Sequence, residues 1–162
     1  MATTASAANI EMVKNLGADI VIDYKKDDFE TILKDYDVVL NSQDTQTLEK
    51  SMRILKPHGK VISISGPPDM AYAKENGLSW FMKMAIYFLS YKVNRLAKKH
   101  HVDYAFLFMT ANGQQLTSIT RLIEAGKIVP VIDRVFPFVQ TNEALTYVMS
   151  GRAKGKVVIK VR

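Results

Sequence analysis

The sequence predicts an α/β protein whose parallel sheet carries helices on both faces. Three observations lead there. Short β-branched runs, such as Ile20-Val21-Ile22 and Val38-Val39-Leu40, read as buried strands. Helix-length stretches with apolar residues on one face separate these runs from the first residue onward. That alternation makes βαβ units, and right-handed crossovers then place the helices on both faces. The composition is globular, with 162 residues, 48% of them apolar and 23% charged, enough for a domain with a sizeable core.

Taken in order, Ala2 to Thr4 reads as the end of a strand, and Ser6 as the N-cap of a helix carrying Ile10, Val13 and Leu16. Gly17 stands where a left-handed C-cap belongs. After Ile20-Val21-Ile22, a short helix around Phe29, Ile32 and Leu33 leads to the strand Val38-Val39-Leu40. A helix with Leu48, Met52 and Leu55 on one face then leads, through a turn at Lys56-Pro57-His58-Gly59, to the strand Val61 to Ile64. Gly66-Pro67-Pro68 must be a loop. Trp80 to about Ala97 reads as one long helix, aromatic and methionine-rich first and basic afterwards. Tyr104 to Phe108 reads as a buried strand. Asn112 caps a helix with Leu116, Ile119, Leu122 and Ile123 that ends at Gly126. The tail holds an extended Ile128 to Phe138, a helix from Thr141 to Met149, and a strand Val157 to Val161.

Several function classes drop out on composition. With no cysteine, disulfides, thiolate-zinc sites and a cysteine nucleophile are excluded. The net charge of +6 suits phosphorylated small molecules, nucleic acid or anionic surfaces. The cations are spread along the chain except for Lys92, Arg95, Lys98 and Lys99, and no aromatics interleave that cluster in a reading motif, so nucleic acid is not the expected partner. The most apolar stretch, Leu78 to Leu89, is too short to span a membrane, and the N-terminus lacks the pattern of a secretory signal. A cytoplasmic location is expected. His100-His101 follow two lysines, without carboxylate support or helical spacing, and read as a solvated turn; no metal site is expected. The run Gly151 to Val157 resembles a phosphate loop in outline, but it has one residue too few between its glycines and a strand after it.

One absence bears on the sheet. A dinucleotide-binding, Rossmann-like sheet begins with a strand, a glycine-rich turn and a helix whose N-terminus receives the pyrophosphate. None of the eight glycines forms G-x-G-x-x-G. The expectation is such a sheet lacking its first strand and glycine-rich turn. Because that strand is central in the usual 3-2-1-4-5-6 order, a gap is expected in the middle of the sheet.

A set of phrases gives the sequence a family likeness. They are Thr3-Thr4-Ala5-Ser6, Leu16-Gly17-Ala18-Asp19 with Asp23-Tyr24, Leu55-Lys56-Pro57-His58-Gly59-Lys60-Val61, and Phe106-Leu107-Phe108-Met109. Glu124-Ala125-Gly126-Lys127-Ile128 through Val135-Phe136-Pro137 follows, and then Gly151-Arg152-Ala153-Lys154-Gly155-Lys156-Val157-Val158. In order and spacing they resemble the quinone-oxidoreductase-like, zinc-independent branch of the medium-chain dehydrogenase/reductases, over the C-terminal half or so of a member. His58 stands where that family usually has a second glycine.

The resemblance implies residue roles around NADP(H). Ser6 would sit beside the adenosine ribose or its 2′-phosphate, with Thr4 and Ala5 as neutral neighbours; an acidic residue there would favour NAD. Tyr24 and Arg152 would lie near the same phosphate, the arginine suiting it in charge and geometry. Ser42, Ser65, Gly66, Phe108 and Met109 would line the middle and the nicotinamide end, with Gly66 letting the backbone approach the ribose. Each has a plainer reading: Ser6 as a cap, Tyr24 as a strand-end aromatic, Arg152 as a solvated residue, and Phe108 and Met109 as core. Trp80, Met84, Tyr87, Phe88 and Tyr91 either pack on the sheet or meet another subunit.

Residues 1–127 are thus expected to form a partial Rossmann-like NADP-binding domain. Residues 128–162 would be a tail that joins the family's GroES-like catalytic domain. The implied reaction is hydride transfer from NADPH to a quinone or an α,β-unsaturated carbonyl, in a homo-oligomer, with no catalytic side chain in this part and no activity from it alone. The alternative is a non-catalytic module that associates with itself through the strand edges at Val131 to Val135 and Val157 to Ile159.

Overall fold

In the computed structural model, which describes all 162 residues, β1 (Ala2–Ala5) and β2 (Ile20–Asp23) pair in parallel, from Ala2 opposite Ile20 to Ala5 opposite Asp23. Between them runs α1 (Ile10–Asn15), preceded by a 3-10 turn and closed at Gly17 with φ of 101°. The Ser6 side chain accepts no capping hydrogen bond, contrary to expectation, because the 3-10 turn at Ala7–Asn9 separates it from α1.

A second sheet follows, in the order β3 (Tyr36–Asn41), β4 (Leu55–Ser63), β5 (Asp103–Phe106), all parallel. Two helices pack beside it: α3 (Thr45–Arg53), and later α5 (Trp80–His100). Leu48 and Met52 of α3, Val93 and Ala97 of α5, and Leu55 and Val61 of β4 form the main core with Val102. Leu55 therefore opens β4 and does not extend the α3 stripe; the turn expected at Lys56 to Gly59 is an irregularity inside that strand, where the register slips between Tyr36 and Val38.

The expected interruption is present. β1 pairs only with β2, and β3 only with β4, so no ladder joins the two sheets. They meet through side chains instead: Ile22, Leu33 and Ile54 are buried together, with Ala2, Phe29, Tyr36 and Val39 against them. Here α2 (Phe29–Ile32) is a single turn capped by Asp28. On β3 the alternate residues Val38 and Leu40 are 57% and 67% exposed, as befits a strand apolar on both sides but covered on one.

The loop expected after Gly66 contains a helix that sequence reading did not find, α4 (Met70–Glu75), capped by Asp69 through the Tyr72 N–H. On α5 the packed stripe is Ile86, Ser90, Val93 and Ala97, while Trp80, Met84, Tyr87, Phe88 and Tyr91 are all exposed. β5 stops at Phe106, two residues earlier than expected, which leaves Phe108 and Met109 beyond the strand.

The chain divides into two units, Met1–Met109 and Thr110–Arg162. The second contains α6 (Gly113–Glu124), capped by Asn112 as expected, then β6 (Ile132–Pro137), α7 (Thr141–Met149) and β7 (Lys156–Lys160). β6 and β7 pair in parallel with each other alone, and α7 packs on both.

Candidate functional site

Parallel strands bring their carboxyl ends to one edge, and open α/β sheets bind ligands outside that edge. Thr4 is the penultimate residue of β1, with Ser6 just past its end and Tyr24 directly after β2. Ser42 follows β3, Ser65 and Gly66 follow β4, and Phe108 and Met109 lie beyond β5.

A cavity of about 640 Å3 opens among these loops, bounded by Thr4, by Tyr24 to Phe29, and by Gln43, Asp44, Gln46, Thr47 and Lys50. Two of the expected residues, Thr4 and Tyr24, thus share one cavity. Its floor is fixed by local chemistry. Asp44 caps α3 by accepting the Thr47 N–H at 2.8 Å, which holds its carboxyl below the usual carboxylate range. Asp28 is ion-paired with Lys50; the lysine's hydrogen bond lowers the Asp28 pKa, and the carboxylate raises that of Lys50. The turn after β2 is tied to buried Asp23, whose carbonyl accepts the N–H groups of Lys26 and Asp27 at 2.9 Å each, and whose carboxylate accepts the Lys25 N–H at 3.1 Å.

Next to this cavity the ends of β3 and β4 are linked by a polar cluster. The buried Asn41 accepts, through Oδ1, from Ser63 Oγ at 3.0 Å and from Ser65 Oγ at 3.3 Å. Ser63 Oγ in turn accepts the Gly66 N–H at 2.9 Å, so its own proton is directed at Asn41, which leaves the buried Asn41 Nδ2 without a partner. A Cβ on Gly66 would stand 2.6 Å from the Tyr104 hydroxyl and 2.9 Å from Ser63 Oγ. Packing of its own loop therefore already requires that glycine. Tyr104 donates to the Pro67 carbonyl at 2.5 Å, and burial, then the nearby Asp69 charge, push its pKa up to about 12. Phe108 stacks on Phe106 and meets the edge of Tyr72, while Met109 is 90% exposed.

Arg152 belongs to the second unit, where it lines a groove of about 800 Å3 with Arg134, Phe136, Asn142, Glu143, Thr146, Tyr147 and Ser150. The Arg134 guanidinium lies 4.2 Å above the Tyr147 ring, and the Tyr147 hydroxyl donates to Asp133 at 2.7 Å, holding that carboxyl low.

Sequence reasoning missed Asn41 and the cavity walls supplied by Gln43 to Lys50. The signal for Asn41 was a polar side chain closing the apolar run Val38-Val39-Leu40. The first-unit site fits part of a dinucleotide. Its volume lies within the ordinary range for small-molecule sites, and the hydroxyls of Thr4 and Tyr24 make no hydrogen bond within the chain.

The family described as zinc-binding dehydrogenase matches residues 16–159. This chain belongs to the zinc-binding dehydrogenase family. Among family relatives, the chloroplastic NADPH-dependent alkenal/one oxidoreductase of Arabidopsis thaliana is 29% identical over 98% of this chain and 33% of its own length. A mitochondrial NAD(P)H oxidoreductase of Homo sapiens is 35% identical over 93% of this chain and 39% of its own. The solved quinone oxidoreductase from Coxiella burnetii superposes with a TM-score of 0.73 at 25% identity, covering 99% of this chain and 44% of that one. The chain thus spans a third to two-fifths of these curated relatives, corresponding to their C-terminal part, and the likeness to quinone oxidoreductases expected from sequence is borne out.

Proposed function

We propose that this chain is the NADP(H)-binding part of a zinc-independent oxidoreductase that transfers hydride from NADPH to a quinone or an α,β-unsaturated carbonyl. The observation that carries the reading is the cavity at the ends of β1 and β2, where Thr4 and Tyr24 offer free hydroxyls and no acidic residue closes β1. A neutral strand end accepts the 2′-phosphate that an acidic one would repel. The names of the relatives, NADPH-dependent alkenal/one oxidoreductase and quinone oxidoreductase among them, support the same cofactor and substrate class.

In this reading Thr4, Ser6 and Tyr24 hold the adenosine end of the cofactor. Ser42, Ser65, Gly66, Phe108 and Met109 line the path to the nicotinamide. Bound NADPH supplies the hydride; the chain's side chains bind and orient, and none acts as acid or base. Residues 1–127 serve the cofactor, and residues 128–162 join a catalytic domain that contacts the substrate. The whole works as a cytoplasmic homo-oligomer, without nucleic acid or membrane as partner. No helix is long and apolar enough to cross a membrane.

Titration calorimetry of the chain with NADPH and NADH tests the reading. Saturable binding that favours NADPH and weakens with salt is expected, with no turnover of quinone by this chain alone; binding of neither dinucleotide overturns it. One observation favours a second reading, a module that associates with itself: β6 and β7 each pair only with the other, and Ile132 and Val135 are more than half exposed. A solution mass that rises with concentration, and falls when Val135 is replaced by lysine, would support it.

A further inference from the structure

The long helix α5 turns a broad face away from the chain that nothing covers. Its packed stripe is Ile86, Ser90, Val93 and Ala97, with Val93 and Ala97 in the main core. At about 100° per residue, the opposite arc holds Phe81, Met84, Phe88 and Tyr91 in the first half and Arg95, Lys98 and Lys99 in the second. Phe81 is 78% exposed and Phe88 67%. The rings are contiguous: Trp80 meets Phe81 at 5.0 Å between centroids, and Tyr87 meets Phe88 at 5.7 Å and Tyr91 at 6.4 Å. Aromatic side chains carry about 150–250 Å2 each, so this patch exceeds the few hundred Å2 that a monomer ordinarily leaves bare. The basic half is equally unanswered. No carboxylate occurs among the 21 residues of α5. Lys92 is ion-paired to Glu49, but Arg95, Lys98 and Lys99 have no ion-pair partner.

A partner that fits this face offers cations to its rings and rings to its cations. A second α5 running antiparallel does both. A parallel copy would set one basic half on the other, with no carboxylate between them to relieve the repulsion. Antiparallel, each basic half lies over the other helix's aromatic half, where guanidinium and ammonium groups are attracted to ring faces. Such a pair is two-fold symmetric, the commonest way for identical chains to associate. We propose that the outward face of α5 is the surface through which two copies of this chain associate, their helices antiparallel about an axis near Phe88. Phe81 then lies opposite the stretch that begins at the partner's Arg95, and Phe88 meets its own counterpart. This placement rests on the homo-oligomer proposed above and names its contact surface, which is α5 and not the edges of β6 and β7.

The test uses the whole chain in sedimentation velocity over a range of concentrations, with the fold of each variant checked by circular dichroism. The wild-type mass should rise from monomer to dimer. Phe88→Ala and Arg95→Glu should each weaken that association about tenfold or more, as loss of a central aromatic anchor or of a cation facing a ring does. Val135→Lys, on β6, should leave it unchanged. Thiol cross-linking reads the direction of the helices, since the chain has no cysteine of its own. Phe81→Cys mixed with Lys99→Cys should be joined by a short bis-maleimide, and neither variant alone should be, because like positions of an antiparallel pair lie more than about 20 Å apart. Efficient joining of either variant to itself would mean a parallel pair and would overturn the arrangement. Association that survives Phe88→Ala and is lost in Val135→Lys overturns the α5 surface and leaves the homo-oligomer standing. A wild-type chain that stays monomeric at every concentration defeats both. A monomer that co-sediments with vesicles of phosphatidylcholine and phosphatidylserine gives the face to a lipid surface and overturns the pairing as well.

Discussion

His58 holds a left-handed backbone, with φ of 66°, inside the span of β4. Its N–H donates to the carbonyl of His101 at 2.6 Å, tying the irregular start of the strand to the end of α5, where His101 is itself left-handed. A side chain with a Cβ pays roughly 1–2 kcal/mol for that conformation, and glycine does not, although glycine loses more entropy on folding. His58→Gly keeps the backbone bond and should therefore stabilise the chain by about 0.5–1 kcal/mol, read as a higher urea midpoint at unchanged slope. Tyr104 gives a pH prediction. Its folded pKa, about 12, lies above the ordinary tyrosine value of 10.0, so the folded state prefers the protonated phenol. That stability is fully present below the ordinary value and is lost as pH rises through the folded one. Denaturation midpoints of the wild type should fall across this alkaline window, and those of Tyr104→Phe should not fall for this reason. An equal decline in both proteins would contradict it.

At the scale of elements, what carries a period is legible and what depends on a partner is not. The apolar spacing of Leu48 and Met52 locates the buried face of α3, and both side chains are essentially inaccessible. Leu48→Ala should cost about 2–5 kcal/mol, the usual range for emptying a filled core site. Equilibrium unfolding measures it, and a cost below about 1 kcal/mol would show that this core is not close-packed. By contrast α4 hides behind Gly66-Pro67-Pro68, because its six residues show no full apolar period and its Asp69 cap is a single polar residue. Asp69 does double duty, capping Tyr72 and accepting the Phe106 N–H at 3.0 Å, so α4 is held by β5 as much as by its own sequence. The aromatics of α5 allow two readings in sequence, packing on the sheet or meeting another subunit; the first does not hold, since they are exposed and the packed stripe uses the smaller Ile86, Ser90, Val93 and Ala97. Of the candidate site, the strand ends could be read from the positions of β-branched runs. The walls made by the Lys25–Lys26 turn and the start of α3 could not, since they come together through contacts between distant segments, the Asp28–Lys50 and Glu30–Arg53 ion pairs among them.

For the whole molecule, the interruption between β1 and β3 and the division at Met109 set the terms. The first unit holds the main core, two parallel sheets and the cavity with Thr4 and Tyr24; the second holds its own strand pair and the Arg152 groove. Both buried apolar clusters lie in the first unit, whereas Ala144 alone is buried in the second; units so unequal can unfold in separate steps, so calorimetric and van't Hoff enthalpies should differ. The proposed function places a dinucleotide site at the carboxyl ends of the first unit's strands. Amide hydrogen exchange of the chain, with and without saturating NADPH, tests it most directly. Saturable protection is expected at the ends of β1 and β2, in the Lys25–Lys26 turn and around Ser42 and Ser65, with weaker protection by NADH. Protection confined to other surfaces, or none at any NADPH concentration, would contradict it.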